Sequence, residues 1–148
     1  MLPKSPRIFP DTSVIIAALM SGTGGARLLF HLSHAGAIQL VAGKGILQEA
    51  EEVLRRKAPN LMGLLAQFLE EANVDISPAP TSKQRKDATF MLDYPPDANV
   101  LAQAIASQCD WLVTHDKEHF LNNPALKDLS FQIGKPGDVI AWLRERMN

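Results

Sequence analysis

The stretch from Asp97 to Asp116 constrains the fold of this chain more than any other. It reads Asp97-Ala-Asn-Val-Leu-Ala-Gln-Ala-Ile-Ala-Ser-Gln-Cys-Asp-Trp-Leu-Val-Thr-His-Asp116. Apolar residues at Val100, Leu101, Ala104 and Ile105 have the spacing of a helix that buries one face. Trp111-Leu112-Val113 is then too short a run for a helix and is rich in strand formers. A helix followed by a strand is half of an αβ unit. Here one carboxylate opens the helix and another follows the strand. In an open α/β sheet, strand carboxyl ends and helix amino ends share the edge where ligands bind. Asp97 and Asp116 are therefore expected to face one crevice.

The rest of the chain repeats this alternation. Arg7 to Pro10 is a strand candidate ending at Asp11, and Pro10, which lacks a donor, fits its end or edge. Thr12 and Ser13 precede a compact helix over Val14 to Leu19, stopped by the Ser21 to Gly25 loop. Asp11 can be an N-cap for it. A helix over Ala26 to Ala35 and a strand over Ile38 to Ala42 follow, then Gly43-Lys-Gly45 and a helix over Ile46 to Lys57. Glu49 lies in the first turns of that helix, beside its apolar stripe. Pro59 starts a further helix, with Leu61, Leu64, Leu65, Phe68 and Leu69 inward. Val74 to Ile76 is a third strand, Lys83 to Leu92 a capped helix and Leu129 to Ile133 a last strand. Gly137 to Met147 closes the chain as a helix. Strands alternating with helices predict an α/β fold, a three-layer α/β/α sandwich with a mainly parallel central sheet. The expectation is a single domain over residues 1–148, since 148 residues suffice for one core.

On this layout Asp11 and Asp116 end strands, Asp97 opens a helix and Glu49 reaches inward from another. Two unit charges about 4 Å apart at an effective dielectric of about 20 repel by roughly 4 kcal/mol. Such a cluster raises its own pKa values or recruits a cation. An all-oxygen ligand set favours a hard ion, Mg²⁺ or Mn²⁺, over zinc. Mg²⁺ keeps several waters, one of which can attack a phosphodiester.

Composition narrows the field. Fifteen Lys and Arg against sixteen Asp and Glu give a net charge of −1, so a nucleic-acid partner would need a local basic patch. Lys44, Arg55, Arg56, Lys83, Arg85, Lys86 and Lys117 are candidate phosphate contacts, with a solvated face as the commoner meaning of such clusters. Tyr94 and two Trp offer no evident base-stacking platform. Cys109 is the only cysteine, which excludes a disulfide framework and a thiolate zinc site, and it reads as a buried thiol. His31 and His34 read as surface residues. Met1 to Pro6 has no apolar leader, and no run reaches about eighteen apolar residues. No membrane partner and a reducing, cytoplasmic location are therefore expected.

At this point the chain resembles the PIN-domain family, the fold of many toxin ribonucleases in bacterial and archaeal toxin–antitoxin pairs. Phe9-Pro-Asp11-Thr-Ser13-Val resembles the family's strand-ending Asp-Thr/Ser-Ser/Asn start. Ile46-Leu-Gln-Glu49-Ala-Glu-Glu-Val-Leu54 resembles its Glu followed by Val-Leu. Asp97-Ala-Asn-Val-Leu-Ala-Gln-Ala and Leu112-Val-Thr114-His-Asp116 resemble its later Asp and Thr-x-Asp motifs. The resemblance implies a metal-dependent endoribonuclease using Mg²⁺ or Mn²⁺, with Asp11, Glu49, Asp97 and Asp116 as metal-binding acids. It implies that Ser13 and Thr114 hydrogen-bond the metal shell or scissile phosphate. Glu118 stands where some members carry a further acid, the alternative being a solvated loop residue. Partners implied are RNA, a cognate antitoxin protein and a second copy in a homodimer. Apolar density at Leu28 to Leu32 and Leu61 to Leu69 marks candidate helices for the antitoxin.

One departure is His115, where many members carry Gly. A side chain there would narrow the cleft. With the near-neutral charge it motivates the alternative of a catalytically weak or inactive PIN-like module that binds RNA or protein. A receiver-like phosphoacceptor domain is disfavoured, because Asp11 has no acidic neighbour and Lys135 follows a strand only loosely. A HAD-type phosphatase wants Asp two residues after Asp11, where Ser13 stands.

Overall fold

Ile8 and Phe9 are fully buried because β1, Arg7–Pro10, runs through the middle of the sheet with both faces covered. The structure is a computed structural model that describes residues 4–147. The expected lack of an apolar leader over Met1 to Pro6 thus falls partly outside the described residues, as do the ends of the expected domain 1–148. β1 pairs with β2 (Gln39–Ala42) on one side and β4 (Trp111–Val113) on the other. β3 (Asp75–Ile76) and β5 (Gln132–Gly134) complete the order β3-β2-β1-β4-β5, and every pairing is parallel. The α/β/α expectation holds, and the sheet is wholly rather than mainly parallel.

Among the described residues, seven α-helices connect and cover the strands. They are α1 (Thr12–Met20), α2 (Gly25–His34), α3 (Lys44–Lys57), α4 (Met62–Glu71), α5 (Ser82–Met91), α6 (Pro95–Ser107) and α7 (Pro136–Met147). Among the described residues, no single helix is long and apolar enough to cross a membrane. Trp111 is in the core and packs on Trp142 of α7, ring centroids 5.6 Å apart. Cys109 is buried, and burial pushes its thiol up to about 11, which makes it a poor nucleophile.

Element ends shift by a residue or two throughout, and three segments depart from expectation for identifiable reasons. The last strand is Gln132–Gly134, not Leu129 to Ile133. Leu129 and Phe131 are apolar because they pack on the core from the preceding loop, and the strand begins where Gln132 pairs with Trp111. At Gly134 a Cβ would lie 2.7 Å from the Trp111 ring, so only glycine lets that strand close on β4. Pro59 starts a 3₁₀ turn, Pro59–Leu61, before α4 rather than α4 itself. The segment after Asp116 is not a plain loop but a π-helical turn, Lys117–Leu121.

The sequence order of the strands reverses at the centre. From β1 the chain moves outward to β2 and β3, then returns to place β4 on β1's other side. The crevice beyond the carboxyl ends of β1 and β4 is thus the switch point where open α/β sheets bind ligands.

Candidate metal centre at the switch point

Asp11 follows β1 directly and caps α1, its Oδ1 accepting from Val14 N at 3.2 Å. That capping role does not exhaust it. Ser13 Oγ also donates to Oδ1 (2.5 Å), and Thr114 Oγ1 donates to Oδ2 (2.5 Å) from the end of β4. Ser13 Oγ and Thr114 Oγ1 accept in turn from His115 N and Asp116 N, at 3.4 and 3.0 Å. The two hydroxyls therefore fasten Asp11 to the chain that carries Asp116. Burial raises the Asp11 pKa, and the donors from Ser13, Thr114 and Val14 oppose that rise.

Asp97 is the third residue of α6, in its first turn, where the helix dipole favours a negative charge. Its side chain is 14% exposed, and its Oδ2 is buried without a hydrogen-bond donor. Its pKa is raised, first by burial and further by the nearby charges of Asp116 and Asp11, against an opposing pull from His119. Asp116 behaves oppositely. Burial would raise its pKa, but hydrogen bonds from the His119 backbone and ring and from Glu118 bring it below the usual range.

Asp11, Glu49, Asp97 and Asp116 line one cavity of about 390 Å³, together with Ser13 and His115. Within it the closest grouping is not the four acids. Asp97, Asp116 and His119 each offer a ligand atom within 4.8 Å of the others. Glu49, exposed on α3, and Asp11 stand on the same walls outside that tight group. Glu118 is exposed on the π-helical turn and does not line the cavity. A larger open hollow of about 690 Å³ lies along residues 120–133, but no carboxylate lines it.

The position of Glu49 is set from α6. Gln103 is buried, and its Oε1 accepts from Ile46 N at 3.0 Å, satisfying a free donor at the start of α3. A Cβ on Gly45 would lie 2.7 Å from Gln103 Nε2, so the glycines before Ile46 admit the amide that anchors the helix.

Sequence reasoning passed over His119. Its Nδ1 lies 3.0 Å from Asp116 Oδ2 and 3.6 Å from Asp97 Oδ2, and its ring stacks on exposed Tyr94, centroids 6.1 Å apart. The usable signal was a His three residues after a strand-ending Asp, but a loop reading gave that spacing no meaning. Of the candidate basic contacts, Lys83 is paired with Asp87 at 3.1 Å, and Lys117 is exposed and follows Asp116 directly in the chain.

A buried carboxylate oxygen with no donor, close to a second carboxylate in a cavity lined by further acids, is the environment a divalent cation stabilises. The residues present therefore fit a metal.

The sequence matches the family model described as PIN domain over residues 7–118. No curated protein matches it. Among solved structures, the chain is similar to one in the crystal structure of VapBC2 from Rickettsia felis bound to a DNA fragment from their promoter. That similarity has a TM-score of 0.63 at 15% identity and covers 86% of this chain and 98% of that one. At that identity the likeness shows the fold.

Proposed function

This chain belongs to the PIN-domain family, and from that premise we propose that it is a metal-dependent endoribonuclease, the toxin of a toxin–antitoxin pair. The observation that carries this is the buried, donorless Asp97 Oδ2 in a cavity also lined by Asp11, Glu49 and Asp116. Asp97 and Asp116 would hold Mg²⁺ or Mn²⁺, with Asp11 and Glu49 completing the acidic walls. What the cation supplies there is Lewis acidity toward a water nucleophile and a phosphoryl oxygen.

The chain's own residues set the geometry. Ser13 and Thr114 hold Asp11 in one orientation, so it meets the substrate preorganised. The backbone N–H of His119 fixes Asp116 through Oδ1, and the His119 ring Nδ1 stands 3.0 Å from Oδ2. Exposed Lys117, next to Asp116 in the chain, would attract the phosphate backbone.

Cytoplasmic RNA is the proposed substrate. The Rickettsia felis structure is of a VapBC2 assembly, which supports a protein partner here. Leu28 and Leu32 do stand on a groove, of about 470 Å³, formed with Ile140 and Leu143 of α7. This suits an amphipathic antitoxin segment. The Leu61 to Leu69 face is less available, since Leu65 is buried and Phe68 packs on Phe30. A homodimer remains part of the proposal.

The test is cleavage of a mixed single-stranded RNA with Mn²⁺ or with EDTA, by wild type and Asp97→Asn. The expected result is cleavage that needs the metal and disappears in the variant. Because His115 lines the cavity, the second reading is a module that binds RNA without cutting it. Metal and RNA binding with no cleavage of any RNA offered would establish that reading instead.

A further inference from the structure

The tight grouping in the cavity contains a nitrogen donor. His119 Nδ1 is 3.0 Å from Asp116 Oδ2 and 3.6 Å from Asp97 Oδ2, and the ligand atoms of all three residues lie within 4.8 Å of one another. Ligands about 2.1 Å from an octahedral cation stand about 3.0 Å apart when adjacent and about 4.2 Å when opposite. One cation can therefore touch all three with little movement.

The ring is held for this. The wide turn over Lys117–Leu121, closed by Leu121 N to Asp116 O and Asn122 N to Lys117 O, brings residue 119 back over Asp116. Single π-turns of this kind are frequent at functional sites. The His119 backbone N–H is bonded to Asp116 Oδ1, and the ring face lies against Tyr94 at an interplanar angle of 23°. The bland alternative is a surface ion pair between His119 and Asp116. It explains the 3.0 Å contact, but not why the second carboxylate oxygen nearest the ring, Asp97 Oδ2, is buried with no donor of its own.

Resting on the metal-site reading above, we propose that His119 Nδ1 joins Asp97 and Asp116 as a ligand. The centre is then a mixed nitrogen–oxygen site that prefers Mn²⁺ and later transition metals over Mg²⁺. Imidazole is a softer donor than carboxylate and suits first-row transition ions, whereas Mg²⁺ is served by oxygen alone. Tyr94 acts on the site indirectly, by fixing the ring plane.

The experiment uses the whole chain loaded with Mn²⁺ and reads pulsed electron paramagnetic resonance for nitrogen-14 coupling, with calorimetric Mn²⁺ and Mg²⁺ affinities alongside. The expected result is a coordinated-imidazole signal in wild type and in His115→Ala, but not in His119→Gln. The Mn²⁺-over-Mg²⁺ preference should fall about tenfold in His119→Gln. If that variant folds poorly, wild type and His115→Ala together decide the question, because His115 also lines the cavity. Mn²⁺ binding that Asp97→Asn abolishes, without nitrogen coupling in wild type, would overturn the ligand and leave the metal site standing. Loss of the nitrogen signal in His115→Ala rather than His119→Gln would also overturn it. An absence of any Mn²⁺ binding would overturn both this proposal and the nuclease reading.

Discussion

Thr114 Oγ1 donates a hydrogen bond to Asp11 Oδ2 across the ends of two neighbouring strands, joining residues 103 apart in sequence. Both groups are buried, so the bond is shielded from water and each partner depends on the other. Thr114→Val keeps the shape and removes the donor. We expect a loss of about 1–3 kcal/mol in urea unfolding, because a buried carboxylate is left one donor short. Metal affinity should drop about 10-fold or more, because the hydroxyl is what orients the acid. A variant with unchanged stability would show that Asp11 finds another donor.

Burial of Asp97 disfavours its charged form in the folded protein. Its raised pKa means that the folded state disfavours its ionised form, so this residue costs stability as pH rises through the carboxylate range. Asp97→Asn should therefore raise the melting temperature of the EDTA-treated protein at neutral pH by about 2–4 °C. The same variant should lose the stabilisation that Mn²⁺ gives to wild type. Thermal unfolding with and without metal measures both, and a lower metal-free melting temperature would contradict the first.

The Asp116–His119 pair has a defined pH window. Asp116 lies below its usual 3.8, so its contribution is present above 3.8 and lost as pH falls through the lowered value. His119 lies above its usual 6.5, chiefly through its hydrogen bond to Asp116, so its contribution is present below 6.5 and lost as pH rises through the raised value. In EDTA, the melting-temperature difference between wild type and His119→Ala should be greatest between those values and vanish once the pH has passed the raised His119 value. The exposure of His119 keeps the effect small. A difference that grows at high pH would refute the assignment.

Gly45→Ala should destabilise the protein by about 1–3 kcal/mol, because its Cβ drives into Gln103 and breaks the bond to Ile46 N. Gln103→Ala should relieve the clash and make the double variant less costly than the sum of the single ones. Chemical denaturation of the four proteins completes the cycle, and strict additivity would disprove the coupling.

The alternation of short apolar runs with helical spacing was enough to indicate an α/β/α sandwich with a mainly parallel sheet, since local pattern and burial obey the same periodicity. The positions of Asp11, Asp97 and Asp116 at element ends were legible for the same reason: a strand that stops at a carboxylate places it at the sheet's ligand edge. What the linear order did not contain was the distance between groups. That Ser13 and Thr114 fasten Asp11, and that Glu49 and Glu118 stand outside the tight group, depends on how β1 and β4 pair and how α6 meets α3. His119 was illegible because a π-helical turn has no hydrophobic period of its own. Its ring reaches Asp97 only because α6 and the turn after β4 are brought together at one end of the sheet. Element identity is a local property of the chain, whereas the donor set of a site is created by long-range packing.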